Sequence, residues 1–282
     1  MEKIESLNMT LGDRIKAYEH QFTDITIDPS LPYIARVDGR GFSKFTSKME
    51  KPFDARFTST MCSTAIELVK EFRPVLAYVQ SDEISLLFRP APEPMFSGKL
   101  SKLNSIIAST ATYWFNKELP SDIPQKGIPI FDCRIFNVPT EWEAVNALRF
   151  RYRDAVRNSI SSAARYLFGH KATTGKNSDE KLEMIGEKWD TFPDAARYGV
   201  FYHRVEVEKP CAPFVITKDL RRIPTSDTCI RTEIHEFLVQ AEEGGVCNLN
   251  SPTHGIDRIT NMPEILFGDD PFVKASYEKA ED

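Results

Sequence analysis

"YVQSDEISLLF", residues 78–88, sets two adjacent carboxylates, Asp82 and Glu83, between apolar runs. Val79 on one side and Ile84, Leu86, Leu87 and Phe88 on the other have the branched and aromatic character of strand core. With "VLAYVQ" at 75–80 and "ISLLF" at 84–88, the stretch predicts a β-hairpin with "SDE" as its tip. Two unit negative charges about 4 Å apart repel by roughly 4 kcal/mol at an effective dielectric near 20. A protonated carboxyl, an arginine partner or a divalent cation could each offset that cost.

A third acid closes an earlier strand. "YIARVD", residues 33–38, alternates as a half-buried strand does, and "DGRGFSKF" follows at 38–45. If the strands are neighbours, Asp38, Asp82 and Glu83 converge at one edge of a sheet. Oxygen donors of that kind suit magnesium, which commonly bridges one or two carboxylates and a nucleotide's phosphates. Taken singly, each piece also has an ordinary reading: Asp-Gly as a turn, Ser-Asp as a hairpin tip. Gly39 and Gly41 permit tight curvature and close approach of N–H groups to phosphate, and Arg40 and Lys44 add positive charge. No G-x-x-x-x-G-K-[ST] loop occurs.

Working outward, residues 11–22 predict a short polar helix. Residues 55–72 predict a second, with Phe57, Met61, Ala65, Leu68 and Phe72 at helical spacing and Asp54 as its N-cap. After a Pro-rich loop at 89–98, residues 99–117 predict a helix with Leu100, Leu103, Ile107 and Trp114 inward, bounded by Pro120. A strand is expected in 128–139. A long amphipathic helix is expected over 141–168, its apolar side formed by Val145, Leu148, Tyr152, Val156, Ile160, Ala163 and Leu167. The charged segment 169–195 is expected to include a mobile loop, and "YGVFYHRVEVE" at 198–208 predicts another strand. The class is α+β, a sheet with helices packed on it. The expected division is a catalytic domain over 1–250 and a loosely structured extension over 251–282, marked by Pro252, Pro263 and Pro271.

The chain of 282 residues is long enough for a sizeable core, and 41% hydrophobic with 27% charged residues is ordinary for a globular protein. A net charge of -5 weighs against wrapping nucleic acid with the whole surface but leaves room for a local basic face. Five cysteines without a C-x-x-C pair suggest a reduced, intracellular chain, and five scattered histidines show no zinc spacing. No export signal or membrane span is visible, so a cytoplasmic location is expected.

Two basic features stand out. "SGKLSKL" at 97–103 sets Lys99 and Lys102 where a helix begins, either an anion site or a solvated first turn. Between 149 and 176 seven cations face one anion, Asp154, a local charge of +6. Arg149, Arg153, Arg157 and Arg165 form a row drifting slowly around the helix. A solvated face, salt bridges between subunits and contact with an RNA phosphate backbone all remain open for it.

With these residues assembled, the chain resembles the tRNA-His guanylyltransferase superfamily. "ARVDGRGFSKF", "KPFD" at 51–54, "YVQSDEISLLF", "SKLNSIIAS" and "FDCRIFNVP" fit it in order and spacing. The resemblance implies a palm-like antiparallel catalytic domain, similar to those of polymerases and nucleotide cyclases. It implies nucleotide addition in the 3′-to-5′ direction onto the 5′ end of tRNA, with ATP and GTP or other NTPs as substrates. By position, it implies that Asp38, Asp82 and the Gly39 carbonyl bind two Mg2+ ions, with Glu83 as an auxiliary acid. The 39–43 turn, including Phe42 and Ser43, would hold a triphosphate, with Ser81 and Lys102 nearby. Lys51 and Asp54 match an element associated with activating the RNA 5′ end, and such enzymes are typically homotetramers.

One departure matters. Eukaryotic members carry a motif similar to His-Ile-Asn-Asn-Leu-Tyr on the long helix; here Asp154 is followed by "AVRNSISSAA", with Val156 at the histidine position and only Asn158 kept. In this the chain resembles the bacterial and archaeal members, linked to templated repair of 5′-truncated tRNA rather than to guanylate addition at position −1 of one tRNA. A nucleotide cyclase acting on NTP alone and a non-catalytic RNA-binding module remain as alternatives.

Overall fold

The computed structural model describes residues 9–210, 214–216, 222–224 and 228–237. The expected extension at 251–282 lies outside these residues. Strands β1 (Tyr33–Gly39), β2 (Leu76–Gln80), β3 (Glu83–Phe88), β4 (Phe131–Asn137), β5 (Val200–Pro210) and β8 (Thr228–Phe237) form a six-stranded sheet in the order β4-β1-β3-β2-β5-β8. Every pairing is antiparallel. Short strands β6 (Phe214–Ile216) and β7 (Arg222–Pro224) pair separately. The α+β reading is borne out.

Register explains why the sheet has two buried faces and one charged corner. β1 pairs β3 with Tyr33 opposite Phe88, Ala35 opposite Leu86 and Val37 opposite Ile84. These residues join one core with helices α3 (Ala55–Phe72) and α4 (Leu100–Glu118), and the Tyr33 and Phe88 rings stack at 4.6 Å. The intervening residues point the other way, as a period of two requires. Ile34 and Leu87, with Leu76, Tyr78 and Phe201, pack under helix α5 (Glu141–Thr173). Further along that face the same alternation delivers Arg36 opposite Ser85 and Asp38 opposite Glu83. The apolar stripe of the α5 side thus turns polar where β1 ends.

The helices form for local reasons. Asp54 caps α3 by accepting from the Arg56 N–H. Thr140 caps α5 by accepting from the Glu143 N–H. Val145, Leu148, Tyr152, Val156, Ile160 and Ala163 are buried along α5 as their spacing predicts, while Leu167 is half-buried. Helix α1 (Leu11–Thr23) follows the expectation, and α2 (Phe42–Phe45) is a single turn after β1.

Three local expectations need correcting. Glu83 is the first residue of β3, paired with Gln80, so the hairpin tip is only Ser81 and Asp82. In α4 the buried row is Leu103, Ile107, Ala111 and Phe115; Trp114 sits beside it, half-buried under the Lys117 ammonium. The segment expected to include a mobile loop holds α6 (Ser178–Ile185), a 3-10 turn and α7 (Asp194–Tyr198). It is anchored by an Asn177–Glu180 capping box and by Ile185 and Trp189, which enter the α5 core.

Candidate active site

The site is built at the end of β1. Gly39 closes the strand, and its N–H donates to the Asp82 carbonyl at 3.0 Å, locking the two acid-bearing ends together. A Cβ at Gly39 would lie 2.5–2.9 Å from atoms of the Phe42 ring, so glycine here serves packing. That ring is buried among Phe45, Phe57, Phe115 and Phe131. Phe42 therefore offers a ligand little beyond its backbone. Gly41 adopts the left-handed conformation at φ 68°, starting the α2 turn. The Arg40 N–H donates to the Ile130 carbonyl at 2.8 Å. With Gly39 and Arg40 so engaged, the phosphate cradle expected over 39–43 narrows to the amides of residues 41–43.

One cavity of about 510 Å³ gathers most of the expected site. Asp38, Ser43, Lys51, Asp54, Ser81, Asp82 and Glu83 all line it. Gly39, Arg40, Gly41, Lys44 and Lys102 are not among its lining residues, and Arg40, Lys44 and Lys102 are exposed.

The acids have different surroundings. Asp82 stands on a two-residue tip in which Ser81 holds a strained φ of 51°. Burial raises the Asp82 carboxyl above its ordinary value, and the charges of Asp38 and Glu83 raise it further; its own N–H and the Ser81 hydroxyl oppose them. Asp38 meets Arg134 of β4 at 3.7 Å, on a side chain that also approaches Asp132. Glu83 is engaged by Arg151 of α5, whose Nε and Nη2 donate to its two oxygens at 2.7 and 2.5 Å. Arg36 Nε lies 3.9 Å away. The arginine partner considered for the carboxylate pair thus belongs to Glu83, while Asp38 has only the longer 3.7 Å approach of Arg134.

Asp54 is spent on structure. It accepts from the N–H groups of Glu50 and Arg56 and from Arg56 Nε and Nη2, and these bonds, the Arg56 side chain foremost, hold its carboxyl at about 2. Lys51 Nζ donates to the Thr46 carbonyl at 3.0 Å. On α5, Arg157 is exposed and paired with Asp154, Arg149 lies over the Trp142 ring, Arg165 is exposed, and Arg153 is half-buried. None of these four lines the cavity.

The sequence reading missed the far wall. Gln80, Arg36, Arg151, Asn158 and Ser159 also line the cavity. Gln80 donates to Ser159, which donates in turn to the Ala196 carbonyl, tying hairpin, α5 and α7 together. Arg36 was findable, since two residues before Asp38 on a strand means the same face. Arg151 had a fainter signal in its spacing from buried Leu148 and Ala155.

The donor set fits a hard cation: one carboxylate at a strand end and one at the adjacent hairpin tip, locked together by a hydrogen bond, the second raised by burial and then by neighbouring negative charge. Among the described residues no group of three or more His, Cys, Asp or Glu side chains is placed to hold a metal ion.

The family profile described as tRNAHis guanylyltransferase matches residues 12–139. The tRNA(His) guanylyltransferase of Schizosaccharomyces pombe is 34% identical over 200 residues, covering 67% of this chain and 73% of that protein. A bacterial tRNA(His) guanylyltransferase (Thg1)-like protein solved in complex with ATP is 32% identical, with a TM-score of 0.65 over 69% of this chain and 88% of the other. A Thg1-like structure in complex with GTP is 28% identical, with a TM-score of 0.58 over 70% of this chain and 86% of the other. The chain belongs to the tRNA(His) guanylyltransferase family, whose members are nucleotidyltransferases.

Proposed function

We propose that the chain extends tRNA at its 5′ end in the 3′-to-5′ direction, repairing 5′-truncated tRNA. The observation that carries this reading is the meeting of Asp38, at the end of β1, and Asp82, at the adjacent hairpin tip, on the wall of a cavity of nucleotide size. In the first step the tRNA 5′ phosphate attacks the α-phosphorus of ATP and pyrophosphate leaves. In the second, the 3′-hydroxyl of an NTP paired with the template strand attacks the activated 5′ phosphorus and AMP leaves. The added nucleotide keeps its triphosphate as the new 5′ end.

Asp38, Asp82 and the Gly39 carbonyl would hold two magnesium ions. Bound there, magnesium supplies a lowered pKa for the attacking hydroxyl and neutralises the triphosphate. The chain's own groups do the rest. The amides of 41–43 cradle phosphate oxygens, and the Ser81 and Ser43 hydroxyls bond to them. Lys51 faces the 5′ end from the cavity rim, and Asp54 acts by fixing the start of α3. Glu83 acts by holding Arg151 in place. Arg40, Lys44 and Lys102, outside the lining, contact substrate beyond the cavity, and Arg157 and Arg165 offer exposed charge to the tRNA backbone. The functional assembly is a homotetramer.

Addition of a single guanylate to tRNA-His is the second reading, and the long helix disfavours it. Val156, at the family's histidine position, is buried in the α5 core, where it cannot contact RNA. The test uses purified protein, magnesium, ATP and the four NTPs. tRNA lacking its first nucleotide is expected to grow by the templated base, whichever base that is. Growth only by G on tRNA-His would favour the second reading. Product from NTP without RNA would favour a cyclase, and RNA binding without turnover would overturn catalysis.

A further inference from the structure

Helix α1 buries none of its 13 residues, yet it is not polar all round. Leu11, Ile15, Tyr18 and Phe22 are 67%, 49%, 47% and 78% exposed. Their spacing of four, three and four places them on one face in alternating d and a positions of a heptad. A helix this short is marginal in water without a partner for its apolar face. Among the described residues its direction is set at the C-terminal end: Leu100 N–H donates to the Ile25 carbonyl, Thr26 bridges Lys99, and Lys99 Nζ pairs with Asp24 at 2.9 Å. The stripe is therefore left open to solvent, and none of its four residues lines the catalytic cavity.

We propose that this stripe is a self-pairing surface, occupied by α1 of a second copy of the chain in parallel, in-register packing about a two-fold axis. The flanking charges select both partner and direction. In the heptad frame Arg14 is a g residue and Glu19 the following e residue. Parallel pairing sets g of one helix against the next e of the other, so Arg14 meets Glu19 of the partner subunit twice, once on each side of the axis. Antiparallel pairing would set Arg14 against a glutamine and Glu19 against a glycine, with no ion pair. In the parallel register Ile15 meets its own counterpart at a, and Tyr18 at d. The surface deepens the assembly reading above by naming one interface of the oligomer, and it stands apart from the catalytic reading.

The test measures the mass of the full chain in solution by light scattering over 1–100 µM. The wild type is expected to be an oligomer, and Phe22→Glu to halve its mass. Arg14→Glu and Glu19→Arg alone place like charges across the axis, and each is expected to weaken pairing about tenfold or more. Mixed in equal amounts, these two variants regain opposite charges on both sides, and the mixed oligomer is expected to reform. Extension of 5′-truncated tRNA is measured in parallel, so loss of assembly is read separately from loss of chemistry. A monomeric wild type, an unchanged mass for Phe22→Glu, or no recovery on mixing would each overturn the proposal. Cover by a segment of the same chain would give the first result.

Discussion

Two aspartates on the wall of one cavity have opposite surroundings. Asp54, at the start of α3, is 5% exposed and accepts four hydrogen bonds from three N–H-bearing groups of Glu50 and Arg56. Asp82, at the hairpin tip, is half-buried beside two further carboxylates and sits on a strained turn. The protein holds one below its ordinary carboxylate range and pushes the other above it. A satisfied acid is part of the scaffold; an acid destabilised in the free protein has charge in reserve for a ligand. Under the proposed function this contrast assigns Asp82 to the chemistry, and Asp54, despite its motif, to the frame that carries it.

Substitution tests the contrast most severely. Asp82→Asn keeps shape and removes the charge. It is expected to lower 5′ extension by about a thousandfold or more, on the order of 4 kcal/mol of transition-state stabilisation. Its stability by denaturant titration without metal should equal or exceed that of the wild type. Asp54→Ala is expected to do the reverse. It removes an N-cap and strands the N–H groups of Glu50 and Arg56, costing about 2–3 kcal/mol. At a temperature where it remains folded, its extension rate should stay within about tenfold of wild type. A stability loss in Asp82→Asn, or a rate loss in Asp54→Ala as deep as that of Asp82→Asn, would break the comparison.

Glu83 lies between the two cases, a cavity acid with a cation of its own. Its bidentate pair with Arg151 joins β3 to α5 across 68 residues of chain. Glu83→Gln leaves the arginine without its carboxylate in a mostly shielded place and should cost about 1–3 kcal/mol. Arg151→Met should cost a similar amount. A double-mutant cycle on stability is expected to give a coupling of about 1–2 kcal/mol. Coupling near zero would return Glu83 to the unpaired acids of the site.

The sheet and its acid corner were legible because each rests on a local pattern. Alternation in 33–38 and the apolar run 84–88 marked the strands of the core, and β-strand pairing of neighbours brought Asp38 to the hairpin. The α4 error was one of phase. Leu103 and Ile107 continue in steps of four to Ala111 and Phe115, whereas Trp114 drew attention by size. The segment 169–195 hid its helices because a few anchors, Ile185 and Trp189 above all, hold many polar residues. Arg151 was read only as one of the seven cations between 149 and 176. Its partner lies far away in sequence, and the local sign of an inward arginine is no more than its spacing from Leu148 and Ala155.

The smallest expected effect is also the one that separates the two aspartates most directly, since acid acts on them with opposite sign. Asp54 titrates at about 2 in the folded chain against 3.8 for the free group. The unfolded chain thus binds the proton first, and Asp54 stabilises the fold fully above 3.8. That contribution, about 2 kcal/mol, is lost as pH falls towards 2. Asp82 is raised, so there the folded chain binds the proton first. Acid neutralises its buried charge, relieving desolvation first and repulsion second, and adds stability as pH falls through its folded value. Denaturant titrations from pH 7 to 3 in a chelator should therefore show a shallower acid decline for Asp54→Asn than for wild type, and a steeper one for Asp82→Asn. Parallel curves for the three proteins would mean that neither carboxyl is perturbed as its surroundings require. Curves crossing in the other order would exchange the roles of scaffold and site.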